Sequence, residues 1–175
     1  MTARLRFAWL VVLASACSSK RATMGLVPIE SPRHAESVRL RTVDSRGVGP
    51  TMLRQFESLF TDDPVMVFDN RLEVALARNQ MSVRSESTGL IEVALLDAWW
   101  ARSRQYFRPT VFVRARVSCR RRADDVPSEF VFASSDRDLE IVEPSPDAQV
   151  VSFEAAFIEL AEKIASACSG AGSTP

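Results

Sequence analysis

The sequence predicts a two-layer α+β domain, with a mostly antiparallel sheet of four to five strands and two main helices on one face. Three observations lead there. Apolar residues alternate with a period of two in several separate short stretches. They recur at three- and four-residue steps in two longer ones. The order along the chain is strand, helix, three or four antiparallel strands, helix, which suits helices packed on one side of a sheet. At 175 residues with 46% hydrophobic content, the chain is long enough for one ordinary domain with its own core.

The first strand is SVRLRTVD, where Val38, Leu40 and Thr42 alternate with Arg39 and Arg41. SRGVGP breaks it. The next stretch, TMLRQFESLF, has Met52, Leu53, Phe56, Leu59 and Phe60 at helical spacing and predicts a short helix. Asp63-Pro64 is a helix opening, an acid at the N-cap followed by proline in the first turn. Val65, Phe68, Leu72, Ala75, Leu76 and Asn79 then mark one stripe of a helix from Pro64 to about Asn79.

MSVRSE reads as a short strand, and Thr88-Gly89 turns the chain into LIEVALLDAWW, its most apolar strand. After ARSRQYFRP comes TVFVRARVSCR, with Val111, Val113, Ala115, Val117 and Cys119 on one face and Phe112, Arg114, Arg116, Ser118 and Arg120 on the other. A charged turn leads to SEFVFAS. An acid- and proline-rich loop from Asp136 to Pro146 precedes a last helix, Ser152 to about Ala167, striped by Phe153, Ala156, Phe157, Leu160, Ile164 and Cys168. Residues 37–168 are the domain, and 169–175 are a tail expected to fray.

The first 16 residues have a different logic. Arg4 and Arg6 form a basic start, Phe7 to Leu13 an uncharged apolar run, and Ala14-Ser15-Ala16 a small-residue site just before Cys17. That is the build of a secretory signal peptide. The apolar run ends at Ala16, far short of the roughly 20 residues a membrane-crossing helix needs. The step from Leu13 to Cys17 resembles the lipobox of bacterial lipoproteins, with Ala14 standing where leucine is commonest. The resemblance implies cleavage before Cys17, a diacylglyceryl group on its thiol and acylation of the new amino group. Two or more acyl chains give stable attachment. Ser18, rather than an aspartate, after the cysteine implies sorting to the outer membrane with the domain on its periplasmic face. Residues 17–36, broken by Pro28 and Pro32, read as a lipidated cysteine and flexible tether with a coil span of roughly 25 Å.

Charge excludes one class of partner. Losing residues 1–16 takes Arg4 and Arg6 away, leaving 20 basic and 22 acidic residues, with no basic excess to bind nucleic acid. In an oxidising compartment Cys119 and Cys168 either form a disulfide or stand as two separate buried thiols. The sequence leaves both open.

One face of the sheet should carry binding residues. If the two central strands form a hairpin, Ile91, Val93 and Leu95 share a side with Val111, Val113, Ala115 and Val117. That leaves Glu92, Ala94, Leu96, Ala98 and Trp100 beside Phe112, Arg114 and Arg116 on the far, solvent-facing side. The contact surface expected is therefore Leu96, Trp100, Tyr106, Phe107, Phe112, Arg114 and Arg116, aromatic with an arginine rim. The competing expectation is that the hairpin loop, or Met52–Phe60, folds over it. The triplet Arg120–Arg122 is expected to be solvated and nearly neutralised by its neighbours.

Catalytic constellations are scarce. The single histidine, His34, sits in the tether, which removes histidine-based triads and zinc sites. No phosphate loop or dinucleotide fingerprint is present. Asp62-Asp63, Asp124-Asp125 and Asp136/Asp138 lie in expected turns rather than a pocket. Neither a metal nor a cofactor is expected.

The stretches VRLRTVDSR and GLIEVALLDAWWARSRQYFRPTVFVRARVSCRRRADD resemble the first strand and central hairpin of YajG-like lipoproteins. NRLEVALARN and FEAAFIELAEKIASA resemble helices of PqiC-like auxiliary lipoproteins of ABC-type transport systems. GVGPTMLRQFESLF fits neither pattern. The resemblance implies a non-enzymatic accessory anchored in the outer membrane, docking in an envelope complex for transport or assembly. A lipid-binding carrier is the alternative, and a carboxylate-dependent envelope hydrolase a more distant one.

Overall fold

The computed structural model describes residues 22–30, 32, 35–47, 60–102, 109–122, 125–126, 128–136 and 146–170. Five strands and two helices follow in the order β1 (Glu36–Asp44), α1 (Pro64–Arg78), β2 (Met81–Val83), β3 (Gly89–Arg102), β4 (Pro109–Arg120), β5 (Ser128–Asp136), α2 (Pro146–Gly170). The strands form one sheet in the order β2-β1-β3-β4-β5. The expected two-layer α+β sandwich is what forms. Its sheet is mixed, because β1 runs parallel to both β2 and β3 while β3, β4 and β5 pair antiparallel.

α1 forms where the sequence places it. The Asp63 carboxylate accepts hydrogen bonds from the amides of Val65 and Met66, Pro64 fits the first turn, and Asn79 closes the end. α2 begins at Pro146, six residues before the expected Ser152. Proline has no N–H to lose in a first turn, so the residue read as the end of a loop starts the helix. The short helix expected over residues 51–60 lies outside the described residues except for Phe60, which is buried.

Both helices bury their stripes on the same face of the sheet. Val67, Phe68, Leu72, Ala75 and Leu76 of α1 join Phe153, Phe157, Leu160 and Ile164 of α2 over Ile91, Val93, Leu95, Val111, Val113, Ala115 and Val117. Edge-to-face and tilted ring contacts link Phe60 to Phe153 and Phe68 to Phe157. The helices run in the same direction, since Arg71 meets Glu154 and Arg78 meets Glu162.

This arrangement gives the domain two distinct ends. At the upper end lie the amino-terminal turns of both helices, the end of β1 at Asp44, and the far half of the β3–β4 hairpin. At the lower end lie the start of β1, held by Glu36 N–H donating to Gln80 O, and the Cys119–Cys168 disulfide. That bridge resolves the open alternative for the two thiols, with Cα atoms 5.6 Å apart and both residues buried. Gly89 opens β3 at the lower end because a Cβ there would sit 2.9 Å from the Arg121 carbonyl. Arg121 does more than face solvent: its guanidinium donates to the Ser169 carbonyl at the end of α2, a cation at the negative end of a helix.

Part of the stretch expected to be free tether is docked. Ala22 bridges to Phe60, and its carbonyl accepts from Thr61 N–H at 3.0 Å. Met24 N–H donates to Asp62, and Val27 exchanges two hydrogen bonds with the Asn70 side chain. Gly25 takes a left-handed φ of 69°, which glycine adopts without strain. Its carbonyl then accepts from Arg71. The strap is held because α1 offers side-chain partners to its otherwise unpaired backbone.

Candidate functional site

Among the described residues no helix or strand packs on the face of the sheet turned away from the helices, and the hairpin loop and residues 52–59, the alternative cover, lie outside the described residues. Register decides what stands on that face. Rows run across the strands as Arg41, Glu92, Ser118 and Glu129, then Val43, Ala94, Arg116 and Val131, then Asp97 and Arg114, then Trp99 and Phe112. The first two rows, Val131 apart, line an open cleft of about 310 Å³.

The expected docking of the central hairpin holds through Leu95, where Ile91, Val93 and Leu95 are all buried. Beyond that point it fails. The register shifts between Leu95 and Asp97, so Leu96 is an extra residue in β3 and the alternation flips. Ala98, expected outside, is 3% exposed and opposite Val113. Trp100 occupies the ladder position opposite the buried Val111, and Trp99 takes the place expected for it, opposite Phe112. A β-bulge is a backbone event, and the residues around Leu96 carry no glycine or proline to announce it.

The rings of Trp99 and Phe112 stack with centroids 4.7 Å apart, a favourable offset-stacking distance. Phe112 remains 37% exposed. Arg114 reaches Asp97 across the strands at 2.6 Å, and Arg41 reaches Glu92 at 3.3 Å. These pairs are solvent-exposed and contribute about 0–1 kcal/mol each. Their main effect is to lay out alternating charge around apolar positions. Of the seven residues expected on the surface, Leu96, Phe112, Arg114 and Arg116 are described with their side chains, and Phe112, Arg114 and Arg116 share the outer face of β4. Tyr106, Phe107 and the acyl site Cys17 lie outside the described residues.

Of the carboxylates named from sequence, Asp62, Asp63 and Asp125 have structural partners. Asp62 and Asp63 hold the strap and cap α1, and Asp125 accepts from the Arg122 amide at 2.8 Å. Asp124 and Asp138 lie outside the described residues. Two acids that sequence reasoning missed have perturbed protonation. Burial pushes the Asp69 carboxyl up, against the opposing pull of a 2.5 Å hydrogen bond from the Thr42 hydroxyl. Burial, then the neighbouring Asp69, pushes Glu73 up. They sit one turn apart on α1, which the helical spacing could have revealed. Glu73 lines a cleft of about 230 Å³ with Ile29, Pro32, Met81 and Ser82. Among the described residues, no group of three or more histidine, cysteine or acidic side chains could hold a metal ion. No described helix is long and apolar enough to cross a membrane.

No protein-family model matches the sequence, and no curated protein does. Solved structures do match in fold. A Xanthomonas campestris protein of the DUF330 family superposes with a TM-score of 0.62 at 9% identity, covering 87% of this chain and 96% of its own. A hypothetical protein from Chlamydia trachomatis superposes at 0.56 with 8% identity, covering 78% of this chain and 96% of its own. The chain has the fold these proteins share.

Proposed function

We propose that this chain is an envelope lipoprotein, acylated at Cys17 on the periplasmic face of the outer membrane. Its domain is a non-enzymatic docking module of an envelope transport or assembly complex. The observation that carries the docking role is the sheet face away from the helices, where the stacked Trp99 and Phe112 adjoin Arg114 and Arg116. A flat surface of aromatic and arginine residues among both signs of charge suits a protein partner. The leader and its cysteine support the anchor, and the fold shared with the DUF330 protein agrees with the PqiC-like resemblance.

Two observations weigh against the alternatives. A lipid carrier needs an enclosed apolar cavity, whereas among the described residues the apolar cleft beside Val38, Ile91 and Cys168 admits about 10 Å³. The clefts of about 230 and 310 Å³ are open and lined in part by charged or polar side chains. A hydrolase would need two free carboxyls converging on one pocket. Asp69 is engaged by Thr42, and Glu73 alone of the two lines a cleft.

Pull-down of the acylated protein from native membranes, wild type against the double variant Trp99→Ala with Phe112→Ala, tests the docking role. The variant should fold, lose about 1 kcal/mol of stacking, and no longer retain the partners that the wild type captures. Unchanged capture by a folded variant would remove this face as the docking surface.

A further inference from the structure

Three arginines on the outer face of the sheet have no acid to meet. Next to the row of Arg41 and Glu92, the register sets Arg39, Leu90 and Arg120 side by side on β1, β3 and β4. They point outward because their chain neighbours Val38, Ile91 and Cys119 are buried on the helix side. Among the described residues, these two rows and the row of Arg116 carry four arginines against two acids, Glu92 and Glu129. Arg41 and Glu92 pair at 3.3 Å. The guanidinium groups of Arg39, Arg116 and Arg120 pair with no acid, and the Arg120 Nε is buried without an acceptor. A guanidinium left short of acceptors is costly, and a carboxylate brought by a partner supplies them in a two-point fork.

This part of the face is open. Arg39 and Arg116 are exposed, the Arg41 side chain is 69% exposed, and Val43 and Val131 are 43% and 62% exposed. Neighbouring strands lie about 4.8 Å apart, so Arg39 and Arg120 are about 10 Å from each other at Cα, and Arg116 is about 13 Å along β4 from Arg120. That triangle is wider than a single phosphate. Carboxylates recurring about every 7 Å along one side of an extended peptide match its scale. Glu92 and Glu129 stand among the arginines and repel a uniformly anionic surface such as a phospholipid leaflet. A peptide avoids that repulsion by placing acids and apolar side chains row by row.

We infer that the stretch of the outer face bounded by Arg39, Arg116 and Arg120 receives an acidic segment of a partner protein. Its carboxylates meet the three free guanidinium groups, and its apolar side chains meet Val43 and Val131. This deepens the docking role proposed above and rests on it. The stacked Trp99 and Phe112 lie two rows beyond Arg116, so the aromatic and the basic contacts are separate parts of one face. Arginine is favoured at such contacts because its planar fork binds carboxylates with defined geometry.

The test uses the full chain in native membranes, with the photoreactive residue p-benzoylphenylalanine in place of Val43 or, separately, of Phe112. Irradiation should join position 43 to a protein segment that mass spectrometry shows to be rich in Asp and Glu. Arg39→Glu with Arg116→Glu, both exposed and neither giving up an ion pair, should melt as the wild type does and lower that product at least about tenfold. Arg39→Lys with Arg116→Lys keeps the charge and should retain most of it. Replacing the acids of the captured segment by lysine should restore the product in the charge-reversed variant. A product at position 112 with none at 43 would overturn the acidic-segment site and leave the docking role standing. So would a lipid or an acid-free segment at position 43, or a product there that survives charge reversal. No protein product at either position would overturn the docking role, and this site with it.

Discussion

Arg71 of α1 donates to Glu154 of α2 at 2.7 Å, and its side chain is only 3% exposed. The same guanidinium donates to the carbonyls of Met24 and Gly25. One side chain thus ties together both helices and the strap that leads toward the amino terminus. Replacing it by alanine leaves the strap carbonyls and the Glu154 carboxylate without their shared donor. Arg71→Ala should cost about 2–4 kcal/mol in urea denaturation. Amide exchange at Met24 and Val27 should accelerate more than exchange in the sheet. If stability falls while those amides stay protected, the strap is held by its other hydrogen bonds.

Leu96 is the residue that sets the two halves of β3 out of phase. Deleting it would remove the bulge while leaving Asp97 and Trp99 outward and Ala98 inward, because the ladder with β4 already skips Leu96. No carboxylate is buried by this change, so the deletion should keep cooperative unfolding in circular dichroism. Leu96→Ala keeps the extra residue and should cost less than about 1.5 kcal/mol. Loss of cooperative unfolding in the deletion alone would show that the bulge is needed for more than the register of β3 on β4.

The Cys119–Cys168 bridge closes a loop of 49 residues, joining the end of β4 to the end of α2. Its chain-entropy contribution is about 4 kcal/mol, a large share of a typical domain's stability. Cys119→Ser with Cys168→Ser should lower the denaturation midpoint strongly, and added reductant should then have no further effect. A wild-type midpoint that ignores reductant under unfolding conditions would mean the bridge contributes little.

Asp69 and Asp44 should respond to acid in opposite directions. Burial raises Asp69 above its ordinary value near 3.8, so the folded state binds its proton more readily than the unfolded chain does. Its contribution to stability therefore rises as pH falls through the raised value toward 3.8. The Arg46 fork lowers Asp44, so its contribution is present above 3.8 and is lost as pH falls through the depressed value. Asp69→Asn keeps an acceptor for Thr42 without the charge. It should hold or raise stability at pH 7 and flatten the dependence in the mildly acidic range, as read by thermal melts across pH. Stability that falls at neutral pH in this variant would mean the charge itself is needed there.

Period-two and period-3.6 patterns placed all five strands and both helices, because burial on one face forces that spacing on any sequence that folds this way. The Asp63-Pro64 opening of α1 was legible for a local reason, since capping is settled within four residues. The far half of β3 was not legible: whether Ala98 or Trp99 faces out depends on one extra residue facing β4, and the pairing partner decides it. Parallel pairing of β1 with both β2 and β3 was equally hidden, because a strand's own residues do not say which neighbour it meets. The docked strap, the Cys119–Cys168 bridge, and the burial that raises the pKa of Asp69 all arise from groups distant in sequence meeting in space. Local order comes from short-range sterics and spacing, and the chain alone determines it. Which surfaces remain uncovered, and which end holds the strap, comes from contacts that exist only once the layers have packed.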